Sequence, residues 1–263
     1  MGSLTSGIRP SQPSRPALGV EFVSSWSRLK SRTRAYTTRR RSARVATTSR
    51  ASEVANRAIN LVLAAAALVL LAPLMLALAV LVKLTSPGPI FYLQERVGLD
   101  RRRPGRGSAH PQRRRDLGGR PFTIYKFRTM WVDAERASGA VWATAQDPRV
   151  TPLGRLLRQY RLDELPQLFN VLRGEMNIVG PRPERPTIFA ELRSHIAEYP
   201  LRQRTKPGIT GLAQINHHYD RSLDDVRTKV HYDLEYIRRQ SLREDLRIML
   251  KTIPVVLLRR GGW

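Results

Sequence analysis

The sequence predicts a mostly α-helical chain with a short β-hairpin, an α+β fold associated with a membrane. Three observations predict it. Residues 58–82 are apolar throughout except for Asn60. Two short stretches, 90–97 and 122–128, read as strands separated by an insert without periodicity. The C-terminal part of the chain carries apolar residues at helical spacing behind serine caps.

Composition narrows the partners. The formal charge is +25 and the isoelectric point about 11.5, which points to anionic partners: nucleic acid, acidic lipid or phosphorylated substrates. There is no cysteine, so disulfides and thiolate metal sites are excluded. Mean hydropathy is −0.36, a value that hides how strongly the apolar residues are concentrated.

Taken in order, residues 1–53 form a basic N-terminal tail rich in Ser, Thr, Arg and Pro. Its composition predicts disorder, because too little apolar surface is available to offset the entropy of ordering. Arg39–Arg41 lie too far ahead of the apolar stretch to read as a twin-arginine export signal, and a tail lying on anionic lipid suits them better. Residues 54–85 form the membrane helix, long enough to cross a bilayer. Pro73 lies deep inside it, where it removes a backbone hydrogen bond and bends a helix. Basic residues flank both ends, so the positive-inside rule gives no orientation. A kinked span and a helix that enters, breaks at Ala72–Pro73 and returns to the same face both fit this pattern.

Residues 86–263 make up the remaining domain. Ser86-Pro-Gly-Pro89 is a stop before the first strand. In the second strand Lys126 and Arg128 fall on one face, Tyr125 and Phe127 on the other. The Arg-rich insert at 100–118 reads as a solvated mobile loop. Helices are expected from Thr151-Pro152 to about Tyr160, over Leu165–Leu172 and over 186–198, with a turn cluster at 206–211. Ser222 caps a helix with Leu223, Val226, Val230, Leu234 and Ile237 on one face. Ser241 starts another, with apolar Leu242, Leu246, Met249, Leu250 and Ile253 beside Arg243, Arg247 and Lys251. That second face suits a membrane surface and a protein core equally.

The chemistry-bearing stretch is 158–184. It sets the neighbouring carboxylates Asp163 and Glu164 between Arg158 and Arg161 on one side and Gly180-Pro-Arg-Pro183 on the other. The plain alternative is a capped surface helix with Asp163 as N-cap. Neighbouring helical residues point about 100° apart, so the two acids converge only at a helix start, which Pro166 places here. Two hard oxygen ligands suit Mg²⁺ beside substrate phosphates. The surrounding arginines are expected to favour both ionised carboxylates, and an ionised aspartate is the form that attacks phosphorus. Arg182, between two prolines, is held for bidentate phosphate contact. His217, His218 and His231 lack metal spacing with any nearby acid, and no P-loop, Gly-x-Gly-x-x-Gly or zinc pattern occurs. No recognised nucleic-acid fold or aromatic platform accompanies the arginines, so nucleic acid is not the expected partner.

Seven ordered segments carry a resemblance: Gly88-Pro-Ile-Phe91, Gln94-x-Arg96-x-Gly98, Tyr125-Lys-Phe-Arg-Thr-Met130, Leu162-Asp-Glu-Leu-Pro-Gln-Leu-Phe-Asn170, Gly180-Pro-Arg-Pro183, Lys206-Pro-Gly-Ile-Thr-Gly211 and Tyr232-Asp-Leu-x-Tyr236. From about residue 54 onward the chain resembles the bacterial sugar transferases, the monotopic polyprenyl-phosphate hexose-1-phosphate transferases. The resemblance implies a re-entrant helix-break-helix at the cytoplasmic membrane, with both termini and the catalytic domain on the cytoplasmic face. It implies Asp163 as nucleophile toward the sugar-bearing phosphate of a nucleoside-diphosphate sugar, expected to be a UDP-sugar. Polyprenyl phosphate is the implied acceptor, Mg²⁺ the cofactor with Asp163 and Glu164 as its ligands, and a homodimer is compatible. Lys126, Arg158, Arg182 and Asp233 match family positions associated with the active site. With Arg128 they form the expected substrate- and phosphate-binding set. The chain departs from the family pattern at Ala72 before Pro73, where relatives often carry Ser, and at Asn60, where an acid is common. It departs again in the Arg-rich insert, and no N-terminal multi-helix membrane bundle is expected.

Overall fold

Helix α1, Arg50–Thr85, runs through Pro73 as one helical element. An interior proline removes one hydrogen bond and bends a helix without having to end it. The computed structural model describes residues 50–100, 118–134, 147–217 and 222–258. Residues 1–49 of the tail, almost all of the insert and His218 lie outside the described residues, and residues 50–53, read as the end of the tail, are the start of α1. At 36 residues α1 is roughly 54 Å long. Ala64, Leu68, Leu71, Met75, Leu78 and Val82, at helical spacing, pack onto Ile124 and Val171 at one end and Phe127 and Leu157 at the other. The opposite face exposes Val62, Val69, Leu70, Leu76 and Leu84. A helix of this length with so continuous an apolar face associates with a membrane.

Both ends of α1 bond into the same domain. Near its start, the Arg57 guanidinium donates to the carbonyls of Val171 (2.5 Å) and Leu172 (2.6 Å). One turn on, Asn60 Oδ1 accepts from the Ile178 amide at 2.7 Å. An oxygen acceptor is what this position supplies, so the amide serves where an acid is common. At the far end, Arg128 Nη2 donates to Ser86 O and Ser86 Oγ, each at 2.6 Å.

The expected hairpin forms. Strands β1 (Phe91–Val97) and β2 (Pro121–Phe127) pair antiparallel, from Phe91 opposite Phe127 to Val97 opposite Pro121. Helix α2, Pro152–Gln159, starts as expected, with Thr151 Oγ1 accepting from the Gly154 amide at 2.9 Å. A 3₁₀ helix, Leu162–Gln167, and a short helix α3, Leu168–Arg173, stand where one helix was expected. Gly174, in the left-handed region at φ 79°, ends α3.

A second sheet was not anticipated. Strand β3 (Asn177–Val179) runs parallel to β4 (Gly208–Thr210), inside the segment read as a turn cluster. The backbones meet so closely that a Cβ on Gly208 would lie 2.1 Å from the Gly180 nitrogen, which is why glycine stands there. Helix α4, Pro186–His195, is shorter than expected. Ile196 turns extended and buries against Phe189, Leu192 and Tyr199, and a 3₁₀ helix, Tyr199–Arg204, follows.

Helix α5, Leu212–Asn216, leads to α6, Leu223–Arg239, and α7, Leu242–Leu257. Ser222 and Ser241 cap α6 and α7, each accepting from the amide three residues on. Val226, Val230 and Ile237 are buried on the predicted face of α6. On α7 the structure separates two faces that periodicity had merged. Ile248 is buried with Tyr236 and Val179, whereas Leu242, Leu246, Leu250 and Ile253 point outward beside Arg243, Arg247 and Lys251. The basic-apolar stripe therefore faces away from the core.

A buried carboxylate joins these helices. Asp245 lies 2.8 Å from the Tyr236 hydroxyl, which donates to Oδ1, and accepts from Asn56 Nδ2 at 3.3 Å. Burial pushes Asp245 up to about 6, against the two hydrogen bonds that lower it. The folded value exceeds the unfolded value of about 3.9. Its contribution to stability is therefore fully present below the unfolded value and lost as pH rises through about 6. Asp245→Asn is expected to flatten this dependence, leaving the variant more stable than wild type at pH 7 by at most about 3 kcal/mol. Thermal unfolding of both proteins between pH 5 and 8 checks it. Parallel curves would show that Asp245 does not titrate there.

Candidate active site

Strand β2 delivers the first cation. Its outer edge is held by Asn170 of α3, whose Nδ2 donates to Thr123 O (2.7 Å) and whose Oδ1 accepts from Tyr125 N (3.2 Å). The side-chain amide thus takes the place of a third strand. The next residue, Lys126, reaches the 3₁₀ helix, placing Nζ 2.6 Å from Glu164 Oε1 and 3.6 Å from Asp163 Oδ2.

The carboxylate pair sits in the first turn of that 3₁₀ helix. It is entered through Arg161, a non-glycine residue in the left-handed region at φ 53°. Such backbones persist where the surroundings over-determine them, often at functional sites. The plain alternative of a capped surface helix is overturned. Arg161 is the N-cap, and Asp163 and Glu164 are only 6% and 5% exposed.

The two neighbours have different electrostatic fates. Burial acts on both to favour the neutral acid. For Glu164, Arg182 and Lys126 overcome burial and hold the carboxyl well below the usual carboxylate range. Arg182 Nη2 lies 2.6 Å from Glu164 Oε1 and Nη1 3.3 Å from Oε2. For Asp163 burial wins. Its carboxyl is raised despite Lys126, with the Glu164 charge adding to the rise. The expectation that the cations favour ionisation of both acids thus holds for Glu164 and reverses for Asp163, because the close cation contacts fall on Glu164.

The remaining expected residues divide. Arg158, on α2, donates from Nε to Thr129 Oγ1 at 2.8 Å and lies close enough to Asp163 for their charges to interact. Arg128 turns the other way and closes the end of α1 at Ser86, although strand alternation set it beside Lys126. Asp233, on α6, is fully buried and pairs with Arg202, its Oδ2 accepting from Nε at 2.6 Å. It sits behind the Arg182 turn rather than beside the carboxylates. Sequence reasoning did not single out Arg202, and Asn170, Thr129 and Arg96 appeared only inside motifs.

Lys126, Arg158 and Arg182 around two carboxylates leave this centre with an excess of positive charge suited to a diphosphate. Among the described residues no group of three or more His, Cys, Asp or Glu gathers to hold a metal. Both carboxylates offer the hard oxygens that Mg²⁺ prefers, and that ion commonly takes one or two of them and leaves the rest of its shell to water and phosphate. Asp163 fits this better than Glu164, whose oxygens already accept from Lys126 and Arg182.

Comparison with known proteins gives consistent results. A protein of Aeromonas hydrophila named UDP-N-acetylgalactosamine-undecaprenyl-phosphate N-acetylgalactosaminephosphotransferase is 43% identical over 206 residues, covering 78% of this chain and 44% of its own length. A UDP-glucose:undecaprenyl-phosphate glucose-1-phosphate transferase of Escherichia coli is 41% identical over 199 residues, 75% of this chain and 39% of that protein. One of the same name from Caulobacter vibrioides is 40% identical over 211 residues, 79% of this chain and 71% of that protein. The chain thus spans less than half the length of the first two relatives. The family model for bacterial sugar transferases matches residues 51–259, which include all of α1 but its first residue, the carboxylate pair and the Arg182 turn. The chain belongs to the bacterial sugar transferase family.

Proposed function

We propose that this protein transfers a hexose-1-phosphate from a UDP-sugar to polyprenyl phosphate and so initiates a lipid-linked glycan. The observation that carries the reading is the buried pair in which Glu164 meets Lys126 and Arg182 at 2.6 Å each while Asp163 meets Lys126 at 3.6 Å. The names of the relatives support the substrate classes. An Asp163 oxygen attacks the sugar-bearing phosphorus, the bond from that phosphorus to the bridging oxygen breaks, and the bridging oxygen leaves with uridine monophosphate. An oxygen of polyprenyl phosphate then attacks the same phosphorus. The bond to Asp163 breaks, the carboxylate is regenerated, and polyprenyl-diphosphate-sugar departs.

Each neighbouring group has a defined task. Arg182 and Lys126 meet the negative charge of the diphosphate, which grows on the bridging oxygen as the bond breaks. Glu164 remains ionised and keeps those two cations in place. Their positive charge, with that of Arg158, offsets part of the burial that raises the Asp163 carboxyl. Asp163 and Glu164 would hold Mg²⁺ together with the substrate phosphates, where the ion would supply charge neutralisation. Helix α1 enters and leaves the bilayer on one face, keeping the domain at the cytoplasmic surface of the inner membrane, where a homodimer is compatible.

Nucleotide release tests the reaction. Detergent-purified protein with Mg²⁺, polyprenyl phosphate and a panel of UDP-sugars is expected to release uridine monophosphate with one sugar. Uridine diphosphate instead would mean that the sugar moves without its phosphate. No release from folded protein with any donor would favour a non-enzymatic membrane scaffold.

A further inference from the structure

The Arg182 turn is held through its carbonyls. Pro181 and Pro183 have no N–H, so two residues of the turn cannot donate to any neighbour. Each carbonyl from 181 to 184 accepts from a different residue. Pro181 O accepts from the Gly208 amide (3.0 Å) and Glu184 O from the Val97 amide (2.9 Å). Between them, Pro183 O accepts from Arg96 Nη1 and Arg182 O from Arg202 Nη2, both at 3.0 Å. Two of the four donors are guanidinium groups, which make the stronger, charge-assisted bonds.

Arg202 is placed for this by three further restraints. Its Nε donates to Asp233 Oδ2 (2.6 Å), its Nη1 to the Tyr199 hydroxyl (2.8 Å), and its guanidinium stacks over the Tyr199 ring at 4.9 Å. The side chain is fully buried and lies behind the turn, so it reaches the carboxylates only through Arg182.

We propose that Arg202, oriented by Asp233 and Tyr199, is a positioning residue that fixes the backbone of Arg182 so that its guanidinium meets Glu164 and the donor diphosphate. This rests on the phosphosugar-transfer reading above. It assigns Asp233 an indirect role, one side chain and one backbone carbonyl removed from the chemistry. A lysine at position 202 keeps the charge opposite Asp233, but a single ammonium lacks the planar fork that spans Asp233, Tyr199 and the Arg182 carbonyl together.

The test is a double-mutant cycle in full-length protein, with thermal unfolding recorded for every variant. Arg202→Lys is expected to lower kcat by about 10–100-fold, the effect of displacing a positioning group by about 1 Å. Adding Arg202→Lys to Arg182→Ala is expected to cost less than about twofold more, because both act through one guanidinium. Independent multiplicative losses would overturn the assignment and leave a purely structural ion pair. Hydrogen exchange supplies a readout that needs no activity. Peptides covering 180–185 are expected to exchange faster in Arg202→Lys while peptides covering α2, 152–159, do not change. Unaltered exchange at 180–185 would overturn the clamp whatever the reaction. Wild-type protein that releases no uridine monophosphate, yet shows the exchange difference, would remove the proposed reaction and leave the clamp standing. Should Arg202→Lys fail to fold, Tyr199→Phe removes one restraint alone and is expected to give the same pattern with a smaller loss.

Discussion

Asp163→Asn is expected to abolish uridine monophosphate release, by about 10⁴-fold or more, in a protein at least as stable as wild type. The size of the loss is that of removing a covalent nucleophile from a group of residues acting as a unit. The stability follows from electrostatics. Burial raises Asp163, so folding opposes its charge near neutral pH, and a neutral amide of the same shape relieves that opposition. Glu164→Gln is expected to behave in the opposite sense. Its carboxyl is held low by Arg182 and Lys126, so its contribution is present above the unfolded value of about 4.3 and is lost as pH falls through the lower folded value. Glu164→Gln therefore destabilises at neutral pH, and the difference closes in acid. Turnover assays and unfolding curves for the two variants check both halves. Substantial activity in Asp163→Asn would sink its assignment as nucleophile. Destabilisation by both substitutions would sink the electrostatic division between them.

Breaking the Arg202–Asp233 pair is expected to give the largest loss of stability. Arg202→Ala leaves the Asp233 carboxylate fully buried without its main partner, a change worth about 3–5 kcal/mol. Replacing both partners with apolar side chains, Arg202→Met with Asp233→Leu, is expected to recover most of that, because neither charge then has to be kept from water. Denaturant unfolding of the two variants measures the difference. The recovered double variant is expected to remain slow in turnover, because the Arg182 carbonyl still lacks its donor. An Arg202→Ala loss below about 1 kcal/mol would show that water reaches the pair.

How much of this was legible in the sequence differs from element to element. The apolar helix, the hairpin and the serine caps were readable because each is a local pattern of side-chain spacing. The β3–β4 sheet was not. Its strands are three residues long, too short for periodicity, and what brings them together is the small size of Gly208 against a backbone 28 positions away in sequence. The outward stripe on α7 was visible as a stripe, but spacing along one helix does not say what lies opposite it. Within the site, Asp163, Glu164, Lys126, Arg158 and Arg182 are gathered as expected. Arg128 is not among them, because Ser86, at the end of α1, claims its guanidinium. The division between Asp163 and Glu164 was also hidden. Neighbours in sequence share the same nearby basic residues on paper, and only the fold decides that Arg182 bonds to one and not the other.

The attachment of α1 at both ends has a mechanical consequence. Arg57 and Asn60 bind its beginning and Arg128 its end to the same domain, so no separate linker lies between its exposed apolar face and the fold that carries Asp163. The height of Asp163 above the bilayer is then set by the hardware of the fold, as the stylus of a record player is set by its arm. On the proposed reaction, bilayer thickness and headgroup packing become variables that act directly on how squarely a lipid phosphate meets the phosphosugar held on Asp163.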